Sequence, residues 1–312
     1  MQGNNKSKKS DRLVKYKSRY GLGRVQHERA PKISFATPQL NLTLEPDNTA
    51  YVARLQLLPY RGRRQNMACA DCFTGDFHHS GVVTGAEAEI SGIPLYEVIP
   101  HGSPTPRIAI VICTDIFGYK APNARLYGDK LAVAACAAVF IPDILGGDAV
   151  PVDGFDRATF PEWRSRHGDS TTNPIVTALV IELRARGYEK VFAAGFCFGA
   201  RAAVLTAQLP RDSQSRIDGF SVAHPSFVMP TDVGAVSVPG QFLLAEVDAA
   251  FPTDAVTATR ALEGVELEFV GPYSGTTHGF TMRGAETDVN VAAARDDAIL
   301  KTAAFFNRVA AR

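Results

Sequence analysis

The chain has 312 residues, 46% apolar and 21% charged, the balance of a soluble globular protein and not of a disordered chain. No run of eighteen uninterrupted apolar residues occurs, which argues against a membrane-spanning helix, and five cysteines are too few for a disulfide scaffold. A formal net charge of +1 gives the molecule as a whole no polyanion-binding character, but it hides an asymmetry: residues 1–66 hold fourteen Lys and Arg against four Asp and Glu, and the remaining 246 hold nineteen against twenty-eight.

The basic opening, MQGNNKSKKSDRLVKYKSRYGLGR, has little apolar periodicity and lacks the apolar core of a secretory signal. Residues 1–66 are expected to be a solvated, disordered extension. Targeting, or contact with nucleic acid or a membrane surface, is the functional alternative, and deletion of 1–66 with a salt-sensitivity assay would separate the two. Met67 offers a second start, and the globular pattern follows it, so residues 67–312 are expected to form the folded domain.

From there strands and helices alternate. Val82 to Val98 reads as one or two antiparallel strands broken by Gly92, and Arg107 to Thr114 (around IAIVIC) as a buried parallel strand. A helix is expected over Ala121 to Ala135, a strand over Ala137 to Asp143, and a helix over Asn173 to Arg186, started by Thr172 or Asn173 with Pro174 in its first turn. Next come a strand from Lys190 (KVFAAGF), a helix over Ala200 to Gln208, and strands beginning at Asp218 and Gln241. A helix over Thr253 to Leu262, a strand from Val265 (VELEFV) and a long amphipathic helix over Asp288 to Arg308 complete the series. This alternation implies a mostly parallel sheet with helices on both faces. The irregular stretch 146–168, which carries the only Trp, is a candidate lid over the sheet.

The chemistry centres on Gly195-Phe196-Cys197-Phe198-Gly199, directly after one of these strands and directly before a helix. A strand turning sharply into a helix forces its central residue into strained geometry and projects it from the sheet edge, and the flanking glycines permit close approach. The helix N-terminus behind the sulfur favours thiolate and any developing oxyanion. Against this stands the bland reading of a small buried cysteine in a strand–helix turn. A base and an orienting acid are expected downstream, in that fold's chain order of nucleophile, acid, His. His278, in the polar loop Ser274-GTTHGF, can take the thiol proton, and Asp248, ending a strand, can hold the imidazole. Glu246, within the strand, is the competing acid. Backbone N–H groups of Phe198 and Ile116 are placed to hold an oxyanion, and Asp115 falls beside the thiol.

Taken in order, Asp-Ile-Phe-Gly at 115–118, Gly-Phe-Cys-Phe-Gly at 195–199 and His-Gly-Phe at 278–280 resemble the dienelactone hydrolase family over about residues 67–310. The strand end Ile141-Pro142-Asp143 fits as well. This resemblance implies an α/β-hydrolase fold and a Cys-Asp-His triad of Cys197, Asp248 and His278, with an acidic residue, here Asp115, near the resting nucleophile. It further implies an Arg that binds the substrate carboxylate, for which Arg283 and Arg201 are candidates; His224 is placed to line the pocket. The expected activity is hydrolysis of a small ester or lactone through a thioester, without cofactor or metal, in a cytoplasmic monomer or homodimer whose folded domain binds no nucleic acid. Two rivals remain. One is a non-catalytic member of the fold acting as a ligand binder or interaction protein. The other gives Cys69-x-x-Cys72, with His78 and His79 nearby, a redox or zinc role, although no second C-x-x-C accompanies it.

Overall fold

The computed structural model describes residues 69–100, 106–210 and 212–312; the basic stretch 1–66 lies outside the described residues. An eight-stranded sheet forms the centre, built from β1 (Ala86–Ile90), β2 (Ile93–Val98), β3 (Ile108–Cys113), β4 (Ala138–Pro142), β5 (Lys190–Phe196), β6 (Gly219–Ala223), β7 (Gly240–Val247) and β8 (Leu267–Thr277). Their order across the sheet is β1-β2-β4-β3-β5-β6-β7-β8. β1 and β2 pair antiparallel with each other, and β2 pairs antiparallel with β4; every other neighbouring pair is parallel. The central strands are buried on both faces, which is why they read as unbroken apolar runs without alternation.

Each face of the sheet has its own core. On one, α1 (Pro122–Ala135) and α8 (Val289–Ala310) contribute Leu131, Ala298, Ile299 and Phe306, the last stacked on Phe192 of β5 at 4.6 Å between ring centroids. The opposite face is covered by α3 (Asp169–Ala185) and α4 (Gly199–Thr206) through Val176, Leu179, Leu183 and Ala203. Short helices α2 (Phe160–Arg166), α5 (Pro230–Val233), α6 (Thr253–Arg260) and α7 (Phe280–Arg283) sit in the connections. No helix among the described residues is long and apolar enough to cross a membrane. Mixed strand order, a largely parallel sheet and helices on both faces make this an α/β-hydrolase fold.

Three elements depart from expectation. α3 begins at Asp169, so Pro174 lies inside the helix and not in its first turn. The Gly168 carbonyl accepts the N–H groups of Thr171 and Thr172 at 3.0 and 3.1 Å and the Thr171 hydroxyl at 2.8 Å, and this earlier nucleus outweighs the proline signal. Pro174 removes a single backbone bond. β8 runs on to Thr277, so Ser274-GTT is strand and not loop; Tyr273 and Thr277 pair with Ala245 and Val247 across irregular register. The stretch 146–168 is not irregular throughout. It contains α2, whose Trp163 is buried, donates its indole N–H to the Asp148 carbonyl at 2.7 Å, and packs edge-on against Phe198 at 5.5 Å.

Candidate active site

The C-terminal edge of a parallel sheet is where side chains from several strands converge, and of the titratable residues singled out from sequence, Cys197, Asp248, His278, His224, Asp115 and Arg283 gather there. Only Cys197 and Phe198 separate β5 from α4. Cys197 adopts φ +49°, the left-handed region, at a cost of about 1–2 kcal/mol for a non-glycine residue. Its neighbours over-determine it. The Cys197 N–H donates to the Ala223 carbonyl at 3.3 Å, and its own carbonyl accepts from the N–H of Ala200 at 3.2 Å and of Ser226 at 2.9 Å. Glycine is required on both sides: a β-carbon at Gly195 would lie 2.6 Å from Ala200 Cα, and one at Gly199 would collide with the Cys113 and Thr114 carbonyl groups.

Asp248 follows the end of β7, and His278 follows the end of β8. His278 Nδ1 lies 2.9 and 3.0 Å from the two Asp248 carboxylate oxygens, with both side chains buried. Asp248 is itself fixed by accepting the N–H groups of Ala250 and Phe251 at 2.8 and 3.2 Å. Anchored through Nδ1, the imidazole presents Nε2 to the interior of the site, 3.4 Å from Ser226 Oγ, which in turn is 3.5 Å from Cys197 Sγ. Glu246 goes elsewhere: its carboxylate accepts the Gly275 N–H at 2.6 Å on the exposed side.

The electrostatics favour an ion pair. Burial pushes the Cys197 thiol up, but the hydrogen bond with Cys72 and the fields of His278 and Arg283 override it and hold the group well below the ordinary thiol range. Burial presses His278 down, and the Cys197 and Asp248 charges more than reverse this, raising it well above an ordinary imidazole. The Arg283 guanidinium is buried, pairs with Asp115, and donates to the Thr74 and Asp71 carbonyls at 3.1 and 3.2 Å. Asp115 also accepts the Phe117 N–H at 3.1 Å. The N–H groups of Ile116 and Phe198 are donated to no backbone acceptor among the described residues.

His224 is fully buried, 5.0 Å ring to ring from His278, with Nε2 2.6 Å from Thr281 Oγ1; burial keeps it neutral by lowering it well below the ordinary imidazole value. It also borders a cavity of about 430 Å³ alongside Asp248, walled by Leu244, Phe251, Val256 and Arg260, which does not reach Cys197. Arg201 is not brought to the thiol. Its guanidinium is taken up by Asp169 at 2.8 Å on two nitrogens, by Asp232 at 2.8 Å and by the Phe227 carbonyl at 2.7 Å, so it clamps α3 and α5 to α4.

Two groups at the site were not anticipated there. Ser226, two residues beyond His224, lies between sulfur and imidazole; its place after β6 on the same sheet edge was the available signal. More unexpected is the short 3₁₀ turn Ala70–Phe73, which puts Cys72 Sγ 3.9 Å from Cys197 Sγ and 3.3 Å from Cys69 Sγ. Cys197 is only 1% exposed. The histidines adjoining that turn do not join it: His79 contacts the Gly284 carbonyl at 2.8 Å and Arg295 at 3.0 Å.

Cys197, Asp248 and His278 thus bring a thiol, a carboxylate and an imidazole, in that chain order, to one edge of the sheet. Comparisons with known proteins agree with the fold. The model of the dienelactone hydrolase family matches residues 93–310. Among curated proteins, the chain is 29% identical over 217 residues to "Hydrolase pyvD" of Aspergillus violaceofuscus, covering 69% of this chain and 86% of that protein. It is also 29% identical over 182 residues to the carboxymethylenebutenolidase homolog of Mus musculus, covering 57% and 72%. Among solved structures, a candidate dienelactone hydrolase of Klebsiella pneumoniae subsp. pneumoniae superposes with a TM-score of 0.58 at 22% identity, over 72% of this chain and 99% of that one.

Proposed function

Since the chain belongs to the dienelactone hydrolase family, we propose that it hydrolyses a small ester or lactone through a thioester on Cys197. The observation that carries the reading is the Asp248–His278 pair at 2.9 Å, holding an imidazole beside a thiol whose ionisation is strongly favoured. In the resting site Cys197 is the thiolate and His278 the imidazolium. Sulfur attacks the carbonyl carbon. The oxyanion is received by the N–H groups of Phe198 and Ile116, each such donor contributing about 3–4 kcal/mol in comparable sites. Collapse breaks the carbon–oxygen bond, and the leaving oxygen takes the proton from His278. The imidazole, now neutral, deprotonates a water that attacks the thioester and releases the acid and the thiolate.

Thiolate is itself a good leaving group, so the intermediate collapses productively when the departing oxygen is also a good one. Enol lactones and aryl esters are therefore the expected substrates, ahead of amides. Arg283 supplies a buried positive charge to the thiolate. A substrate carboxylate reaching Arg283 would have to displace the buried Asp115 and take its place in the ion pair. Free thiols throughout the described residues suit a reducing compartment, in keeping with the cytoplasm.

Alkylation tests this assignment. The reactive form exists above the thiol's folded-state pKa, and that pKa is lowered, so labelling persists to acidic pH. An unperturbed thiol near pKa ~8.5 is ionised by only roughly 0.3% at about pH 6. Iodoacetamide at about pH 6 is expected to label Cys197, located by peptide mass, and to abolish p-nitrophenyl ester hydrolysis at the same rate, with slower labelling when ester is present. Labelling confined to the exposed Cys136, or hydrolysis surviving full Cys197 alkylation, would remove the thiol from the mechanism.

A further inference from the structure

We propose that the thiols of the 69–73 turn and the catalytic imidazole form a binding site for a soft divalent cation of the zinc class, and that its occupancy silences the hydrolase. The ligand atoms of Cys69, Cys72 and His278 all lie within 4.8 Å of one another. Zinc–sulfur bonds of about 2.3 Å in a tetrahedral site place thiolates about 3.8 Å apart. The Cys69–Cys72 and Cys72–Cys197 separations, 3.3 and 3.9 Å, straddle that value. Cys197 Sγ, 3.9 Å from Cys72 Sγ, borders this group of three without belonging to it, and two thiolates and one imidazole with an open fourth position form a donor set that suits zinc.

The imidazole is prepared for a metal. Its Nδ1 is held by Asp248 and Nε2 is turned to the thiols, the carboxylate–histidine–metal arrangement that fixes tautomer and ring direction. C-x-x-C on a tight turn brings two sulfurs to one point, and here the N-cap residue Cys69 is half-exposed while Cys72 is buried, so the site has an open side for entry. Of the remaining cysteines, Cys113 is enclosed in β3 and Cys136 ends α1 on the surface. Binding would release the Cys69 and Cys72 thiol protons and the Nε2 proton of the His278 imidazolium to solvent and form metal–sulfur and metal–nitrogen bonds, with no change in oxidation state. A cation on Nε2 takes away the lone pair needed to activate water, and one held by Cys72 sits beside the Cys197 sulfur, 3.9 Å from Cys72 Sγ, where it would block substrate approach. The silencing part of this inference rests on the acyl-transfer reading; the site itself does not.

Titrating the reduced full-length protein with Co²⁺ and then Zn²⁺ tests the site separately from activity. One Co²⁺ per chain is expected, with intense sulfur-to-metal charge-transfer absorption in the near ultraviolet and tetrahedral d–d bands, lost as Zn²⁺ displaces it. Aryl ester hydrolysis should fall in step with Zn²⁺ occupancy and return on chelation. Cys69→Ser is expected to weaken Zn²⁺ binding by at least about 100-fold, the upper end of what losing an outer-shell partner costs, and to keep hydrolysing at Zn²⁺ concentrations that silence the wild type. Cys136→Ser should titrate as the wild type does. A cobalt spectrum without thiolate charge transfer, or Cys69→Ser binding as tightly as wild type, overturns the site. Full occupancy with hydrolysis intact overturns the silencing. A metal-free wild type that hydrolyses no ester counts against the esterase reading instead, and the cobalt spectrum then decides the site alone.

Discussion

Replacing Cys197 by alanine is expected to lower kcat/KM for an aryl ester by at least about 10⁴-fold, or more than 5 kcal/mol of transition-state stabilisation. The substitution deletes the sulfur and leaves the oxyanion amides, the imidazole and the sheet edge in place, so the residual rate reports what those groups do without covalent chemistry. Stability should change little in the harmful direction. Cys197 occupies a strained left-handed backbone, and its thiolate, where ionised, is a charge in a buried site. Alanine removes the charge and keeps the strain. Two measurements are therefore made on one variant: initial rates with a p-nitrophenyl ester, and the urea midpoint. A rate within about tenfold of wild type, in a variant that melts normally, would show that hydrolysis proceeds without the sulfur.

The second large effect concerns the acid. Asp248→Asn is expected to reduce kcat by about 10⁴-fold, the size of effect seen when a carboxylate that orients a catalytic imidazole is made an amide. The amide cannot accept the Nδ1–H in the same way, so the tautomer with Nε2 available to take a proton is no longer favoured. Asp248 is also one of the charges that raise His278. An imidazolium persists below its own pKa. With that pKa lowered, the alkaline limb of the kcat/KM profile of any residual activity should therefore move to lower pH. Glu246→Gln serves as the control. Its carboxylate faces the Gly275 N–H and not the imidazole, so a change within a few-fold and an unmoved profile are expected. The reverse ranking of the two variants would transfer the role to Glu246.

The reasons some of this was legible in the sequence, and some was not, are physical. β3 to β7 show as apolar runs because strands covered on both faces have no polar side to break the pattern. The turn from β5 into α4 is readable because two glycines are sterically demanded within five residues. Asp248 and His278 stand directly after strands, so chain order and sheet edge together point to them. The second half of β8 was hidden for the opposite reason. It is an edge segment of small and polar residues whose strand character comes from pairing with β7, a tertiary contact and not a local preference. α3 misled through a strong proline signal set against a Gly168 carbonyl nucleus with no side-chain cap to advertise it.

The Cys69–Cys72 turn illustrates the harder limit. Its residues were conspicuous, but they precede the sheet, and local pattern assigns them no partner. What brings them beside Cys197 is a set of contacts to the far end of the chain. Arg283 donates to the Asp71 and Thr74 carbonyls; the Asp76 N–H donates to the Arg283 carbonyl at 2.8 Å; Asn123 donates to the carbonyls of Asp76 and Met282 at 2.8 Å each. Arg283 was anticipated as a substrate ligand, and its most evident work in the structure is to hold this turn and Asp115 beside the thiol.

The central claim is that an acyl group passes through the Cys197 sulfur. Its most direct test is intact-protein mass spectrometry on acid-quenched samples taken within the first turnovers of a slowly deacylated aryl ester. The account predicts one acyl mass per chain, mapped by peptide to Cys197, removed by neutral hydroxylamine as a thioester is, and missing from Cys197→Ala. Steady hydrolysis with no acyl mass on the protein, or an acyl group mapped to Ser226, would contradict it.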